Sequence, residues 1–193
     1  MKSVELSKNQ GRIFYETVEP RLNNYFQTDY CLIDVGAGNG CCGLFWPNHV
    51  HFVDRRKPNS FAKLSKEFAK QNYEYHECNF QDFQTKEIPG KKALIAIHAC
   101  RDLSDLIIER AIVERIPVAI VPCCHPQLKN YKTNVSLEEI PFFNDPSRYI
   151  DDIRKDRLQK QGFACGTKKL EGFASGKNRL LIALPATESS PVF

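Results

Sequence analysis

Two groups of side chains in this sequence have the types and spacing to do chemistry. The first is the run LIDVGAGNG, in which Asp34 is followed by Gly36, Ala37, Gly38 and Gly40. Glycines at alternate positions bend the chain tightly, and without side chains they let a ligand approach the backbone. A second carboxylate, Asp54, ends the next apolar run and precedes Arg55. Its two acceptor oxygens suit a pair of neighbouring hydroxyl donors. The second group is divided between IHACRDLSDL and VPCCHP, which supply His98, Cys100, Asp105, Cys123, Cys124 and His125. A histidine titrates near neutrality and can take a proton from an acceptor group, and a thiolate can act as a nucleophile. Two histidines and three thiols also suit a soft metal ion. No C-x-x-C is present and Cys123 and Cys124 are adjacent, so no metal ligand is expected.

These residues must be held by regular elements. Short apolar runs at 31–38, 50–54, 73–80, 93–100 and 118–124 look like buried parallel strands. Between them, 60–71 and 102–116 repeat apolar residues three and four apart, as amphipathic helices do. Ile13, Phe14, Val18, Leu22 and Phe26 give the same spacing to a leading helix within 1–28, which Pro20 can bend. A further helix is expected at 147–161 with Gly162 as its stop, followed by runs at 163–173 and 178–185 joined as a hairpin. Alternating strands and helices predict an α/β fold, with helices on both faces of a mostly parallel sheet and a C-terminal antiparallel hairpin. In such a sheet the strand ends carrying both groups face one crevice.

The acid-x-Gly-x-Gly-x-Gly turn resembles that of the class I S-adenosylmethionine methyltransferases, over roughly residues 30–185. A dinucleotide fold would place glycine or alanine where Cys41 stands. The resemblance implies a Rossmann-like fold with a seven-stranded sheet and S-adenosylmethionine as cofactor, leaving S-adenosylhomocysteine. It also implies cofactor contacts from the glycine turn, from Asp54 and Arg55 at the ribose, from Asn79, Phe80 and Asp82 at the adenine, and from His98. Aspartate is common in the family where this chain has Asn79, whose carbonyl still accepts from an amino group. The pattern His98-x-Cys100, Ser104-Asp105-Leu106, then Cys123-Cys124-His125 resembles a narrower group that includes the acceptor-stem tRNA 2′-O-methyltransferases. That group has glycine at the position of Arg101, and its zinc-binding modules have no counterpart here. On this resemblance His125 is the expected base or substrate orienter, with Cys123 and Asp105 beside it. Pro122-Cys123 leaves open a thiolate mechanism of the 5-methylcytosine type.

Composition bounds the rest. In 193 residues, 42% hydrophobic and 26% charged, a real core can form, and disordered, collagen-like and membrane-embedded chains are excluded. No apolar stretch reaches the roughly 18 residues of a spanning helix, and the polar start MKSVELSKNQ is no secretory signal. A cytoplasmic protein is expected, with the nucleus open, and its eight cysteines are read as reduced thiols. The net charge of +4 permits a polyanionic partner. The expected organisation is one domain over 1–193, with a substrate-recognition insertion at 126–150 and a frayed tail at 186–193. In that insertion Tyr131, Phe142, Phe143 and Tyr149 are candidates to stack bases, and Lys129, Lys132 and Arg148 to meet phosphate. The resemblance to the narrower group implies RNA as the substrate, with no membrane, a helper subunit open, and a monomer or small oligomer as the assembly. A small-molecule or protein methyltransferase, and a non-catalytic cofactor-binding domain, remain alternatives.

Overall fold

The chain forms a seven-stranded sheet between two layers of helices, seen in a computed structural model that describes residues 2–123, 146–173 and 177–186. In chain order the elements are α1 (Lys2–Phe26), β1 (Cys31–Val35), β2 (Val50–Asp54), α2 (Asn59–Glu67), β3 (Tyr73–Glu77), β4 (Lys92–Ala99), α3 (Asp102–Glu114), β5 (Val118–Pro122), α4 (Pro146–Lys160), β6 (Phe163–Lys169) and β7 (Arg179–Pro185). The strand order is β3-β2-β1-β4-β5-β7-β6. Strands β1 to β5 pair in parallel, while β7 runs antiparallel to both β5 and β6. Strand order reverses between β1 and β4, which opens a crevice at the carboxyl ends of those strands.

The apolar spacing of the helices decides which face each one covers. Phe14, Val18 and Leu22 of α1 and Phe61 and Leu64 of α2 pack with Leu32, Phe52 and Ile95 on one face. Ile107, Ile108 and Ala111 of α3 and Leu158 of α4 pack with Ile33, Val53, Leu94 and Ile120 on the other. Alternate residues of each strand thus enter different cores. Pro20 remains inside α1. Arg115, with φ +54°, ends α3, and Gly162, with φ +74°, follows α4 as its stop.

The boundaries differ from the sequence reading where chemistry begins. Strands β3 and β5 end at Glu77 and Pro122, so Asn79, Phe80 and Cys123 stand on connections at the crevice rather than inside strands. The expected insertion at 126–150 lies outside the described residues as far as 145, and α4 begins at Pro146, one residue before the expected helix start. Arg148 belongs to that helix and pairs with Asp152 at 3.8 Å. His125, Cys124, Lys129, Tyr131, Lys132, Phe142 and Phe143 lie outside the described residues, as does the tail beyond Ala186. Among the described residues no helix is long and apolar enough to cross a membrane.

Candidate functional site

The glycine turn is folded back over the end of β2. The amides of Gly36 and Ala37 both donate to the Val53 carbonyl, at 2.8 and 3.2 Å. Gly36 has φ +69°, and a Cβ there would lie 3.1 Å from Leu103 Cδ2, narrowing the gap between the turn and the start of α3. The amide of Gly38 donates to Asp54 Oδ2 at 2.9 Å, and the Tyr75 hydroxyl donates to the Gly38 carbonyl at 3.1 Å. Gly40 serves the core instead. A Cβ at Gly40 would stand 2.5 Å from the Phe61 ring, so its missing side chain admits α2 and clears no path to a ligand.

Asp34 lies beneath the turn, 1% exposed. Its Oδ2 accepts the Gly43 amide at 2.9 Å, while its Oδ1 is buried with no hydrogen-bond partner among the described residues. Burial pushes its carboxyl up to about 7, opposed by the Gly43 amide and reinforced by the charge of Asp54. Asp34 therefore braces the turn from inside, and with Ala37, Gly38 and Gly40 it is not among the residues lining the crevice.

The crevice is a hollow of about 430 Å³, within the range of small-molecule sites. Gly36, Asp54, Arg55, Asn79, Phe80 and His98 line it together. Asp54 is half-buried, and its Oδ1 and Oδ2 accept the amides of Arg56 at 3.3 Å and Gly38 at 2.9 Å. Each oxygen retains a lone pair for a further donor, so the carboxylate is oriented without being saturated. Asn79 donates its amide to Asp82 Oδ2 at 3.1 Å, which leaves its carbonyl as an acceptor. Phe80 is 6% exposed, with the Arg110 guanidinium 5.3 Å from its ring centroid. Asp82 itself lines a separate hollow with His51 and His76, so its part is to orient Asn79 and not to line the crevice.

His98 enters the crevice by an irregularity. The register between β4 and β5 shifts between Ile97 and Ala99, and His98 takes φ +61°. Such a conformation is strained for a residue other than glycine and persists where its surroundings enforce it. The Gln10 side-chain amide faces His98 Nε2 at 3.2 Å and holds the ring in place. Burial lowers the His98 pKa, so the ring is neutral at neutral pH.

Two expected chemical groups are differently placed. Pairing of Ala99 with Pro122 makes Cys100 and Cys123 near neighbours, with Cα atoms 5.4 Å apart, a separation within reach of a disulfide. The Cys123 sulfur faces the His98 carbonyl at 3.4 Å. Cys41, Cys42 and Cys165 are free and buried, and burial pushes their thiols up, as in inert core cysteines. Asp105 is held by both sides of the Arg154 fork, with Nε to Oδ1 and NH2 to Oδ2 each at 2.9 Å. Arg154 is 1% exposed and also reaches Asp151 at 3.4 Å. The pair ties α3 to α4, so Asp105 has a structural partner and is not among the residues lining the crevice.

The sequence reading missed the contribution of α1. Gln10, 5% exposed, orients the His98 ring through its side-chain amide. One residue further, a Cβ on Gly11 would come within 2.0 Å of the Cys41 carbonyl oxygen, so this glycine lets the helix lie against the turn. A signal was present: Gln10 stands four residues before Phe14 on the stripe that continues through Val18 and Leu22. A polar residue on a buried stripe needs a partner.

A family model described as a methyltransferase domain matches residues 8–131. No curated protein matches the sequence. Among solved structures, a magnesium protoporphyrin IX methyltransferase from Synechocystis PCC 6803 with bound SAH is similar, with a TM-score of 0.54 and 13% identity over 92% of this chain and 84% of that one. An rRNA methylase from Streptococcus thermophilus has a TM-score of 0.51 and 11% identity over 82% of this chain and 88% of that one. DesVI of Streptomyces venezuelae gives a TM-score of 0.54 and 10% identity, covering 93% of each chain. At these identities the likeness is one of fold.

Proposed function

Since the chain belongs to the methyltransferase domain family, whose model spans residues 8–131, we propose that it uses S-adenosylmethionine to methylate RNA. The observation that carries the cofactor half is the convergence of Gly36, Asp54, Asn79, Phe80 and His98 on one crevice at the strand ends. The residues fit the group chemically. A Cβ on Gly36 would crowd the gap toward Leu103, Asp54 presents an oriented carboxylate to a diol, and the Asn79 carbonyl and Phe80 ring suit a flat base bearing an amino group. When bound, S-adenosylmethionine supplies an electrophilic methyl group on a sulfonium.

The remaining work belongs to the chain. Transfer is an in-line displacement: the acceptor forms a bond to the methyl carbon, the carbon-sulfur bond breaks, and a hydroxyl or protonated nitrogen acceptor gives up its proton. His125 is the proposed proton acceptor, two residues along the chain from Cys123, whose sulfur lies 3.4 Å from the His98 carbonyl. His98 flanks the same crevice, with its Nε2 facing Gln10.

The RNA half rests on charge and motif. Arg55 lines the crevice and is followed by exposed Arg56 and Lys57, a cationic rim suited to phosphate. The His98-x-Cys100 and Cys123-Cys124-His125 pattern resembles the acceptor-stem tRNA 2′-O-methyltransferases, and an rRNA methylase is among the structural neighbours. The test is transfer of a radiolabelled methyl group to total RNA, protein and metabolite fractions over a range of salt. Label in RNA, with binding that weakens as salt rises, is expected. Label confined to metabolites or protein overturns the RNA assignment and leaves methyl transfer intact. No label in any fraction, with the cofactor bound, identifies a non-catalytic domain.

A further inference from the structure

We propose that the edge of the sheet carries a divalent transition-metal site, in which His49, His51, His76 and Glu74 bind a borderline ion such as Zn²⁺. Strand geometry brings the four together. His49 and His51 alternate along the β2 segment, as Glu74 and His76 do along β3, and the register pairs His51 with Glu74 and Val53 with His76. All four therefore project from the same face. That face also bears Val53, and the loop after β3 covers it, with the Phe83 ring 4.8 Å from the His76 ring.

The donor atoms converge at ligand spacing. His51 Nδ1 lies 3.1 Å from His76 Nε2. The Glu74 carboxylate lies 3.5 Å from His49 Nε2, 3.7 Å from His76 Nε2 and 4.0 Å from His51 Nδ1. Ligand atoms of His49, His51 and Glu74 all fall within 4.8 Å of one another. Two ligands about 2.05 Å from a tetrahedral zinc are about 3.3 Å apart, so small side-chain rotations complete the shell. Imidazole nitrogen and carboxylate oxygen are the donors such an ion selects.

The surroundings favour a dication. Glu77, Asp82 and Glu87 line the hollow shared with His51, Glu74 and His76. The nearby Lys92 ammonium is engaged by the carbonyls of Thr85 and Ile88, at 2.9 and 2.6 Å. His51 and Glu74 are the second residues of β2 and β3, whereas the methyl-transfer crevice lies at the other end of the strands. An ion here would fasten the edge strand β3 to β2 and does not depend on the proposed reaction.

The test is a cobalt titration of the chelator-treated full chain, followed by competition with Zn²⁺ and thermal melts with and without Zn²⁺. One ion per chain is expected, with the visible bands of tetrahedral cobalt, no thiolate charge-transfer band, and a higher melting temperature with Zn²⁺. His49→Ala and Glu74→Gln, whose side chains are 40% and 57% exposed, should fold by circular dichroism yet bind at least about tenfold more weakly. Absence of binding at micromolar metal, unchanged affinity in both variants, or a thiolate band placing the ion on cysteines would each overturn the site.

Discussion

Asp34 combines burial with an oxygen, Oδ1, that has no hydrogen-bond partner among the described residues, which makes its charge hard to keep beneath the turn. Its pKa of about 7 in the folded protein lies above its ordinary value of 3.8. Below the lower value both folded and unfolded chains are protonated at this site. Between the two, the unfolded chain ionises while the folded one does not, so stability falls as pH rises, by up to about 1.4 kcal/mol per unit. Above about pH 7 the slope ends. Asp34→Asn should remove this component, and denaturant unfolding from pH 4 to 8 measures it, with an unchanged slope in the variant as the contrary result. At this scale the sequence was informative about type and incomplete about direction. The acid and glycines of LIDVGAGNG do form the turn, but nothing in their spacing shows that Gly40 faces Phe61 or that Asp34 points inward. Asp105 is similar: its helix-start position is legible, while its partner Arg154 stands 49 residues away and is supplied by packing.

Elements were more legible than residues, because periodicity reports which face is buried. The run Phe14, Val18, Leu22 identified α1 as a core helix, and alternation of apolar runs with helical stretches identified a mostly parallel sheet without its strand order. The role of α1 in the site was not legible, since it depends on contacts between Gly11 and Cys41 and between Gln10 and His98, which no local pattern encodes. Gly11→Ala tests this role by its sign. In an exposed helix that change stabilises by up to about 1 kcal/mol. Here the added Cβ would meet the Cys41 carbonyl oxygen at 2.0 Å, so α1 must move off the turn. A loss of about 1–3 kcal/mol in denaturant unfolding, accompanied by weaker cofactor binding, is expected. A gain in stability would show that α1 does not press on the turn.

For the whole molecule, the sheet order places a crevice at the strand reversal, and the two layers of helices hold the turn, Asp54 and His98 around it. The start of α4 at Pro146 was legible to within one residue of the expected 147, whereas the strand order, which places β4 beside β1, depends on packing and was not read from the sequence. The central claim is that this crevice seats S-adenosylmethionine with Asp54 as its diol acceptor. Isothermal titration of the purified chain and of Asp54→Ala with S-adenosylmethionine tests it most directly. The expected result is one site with micromolar affinity in the parent chain, weakened about 30-fold or more in the variant, the equivalent of about 2 kcal/mol for a charged acceptor. An absence of binding in the parent chain, or equal affinity in both proteins, would contradict the account.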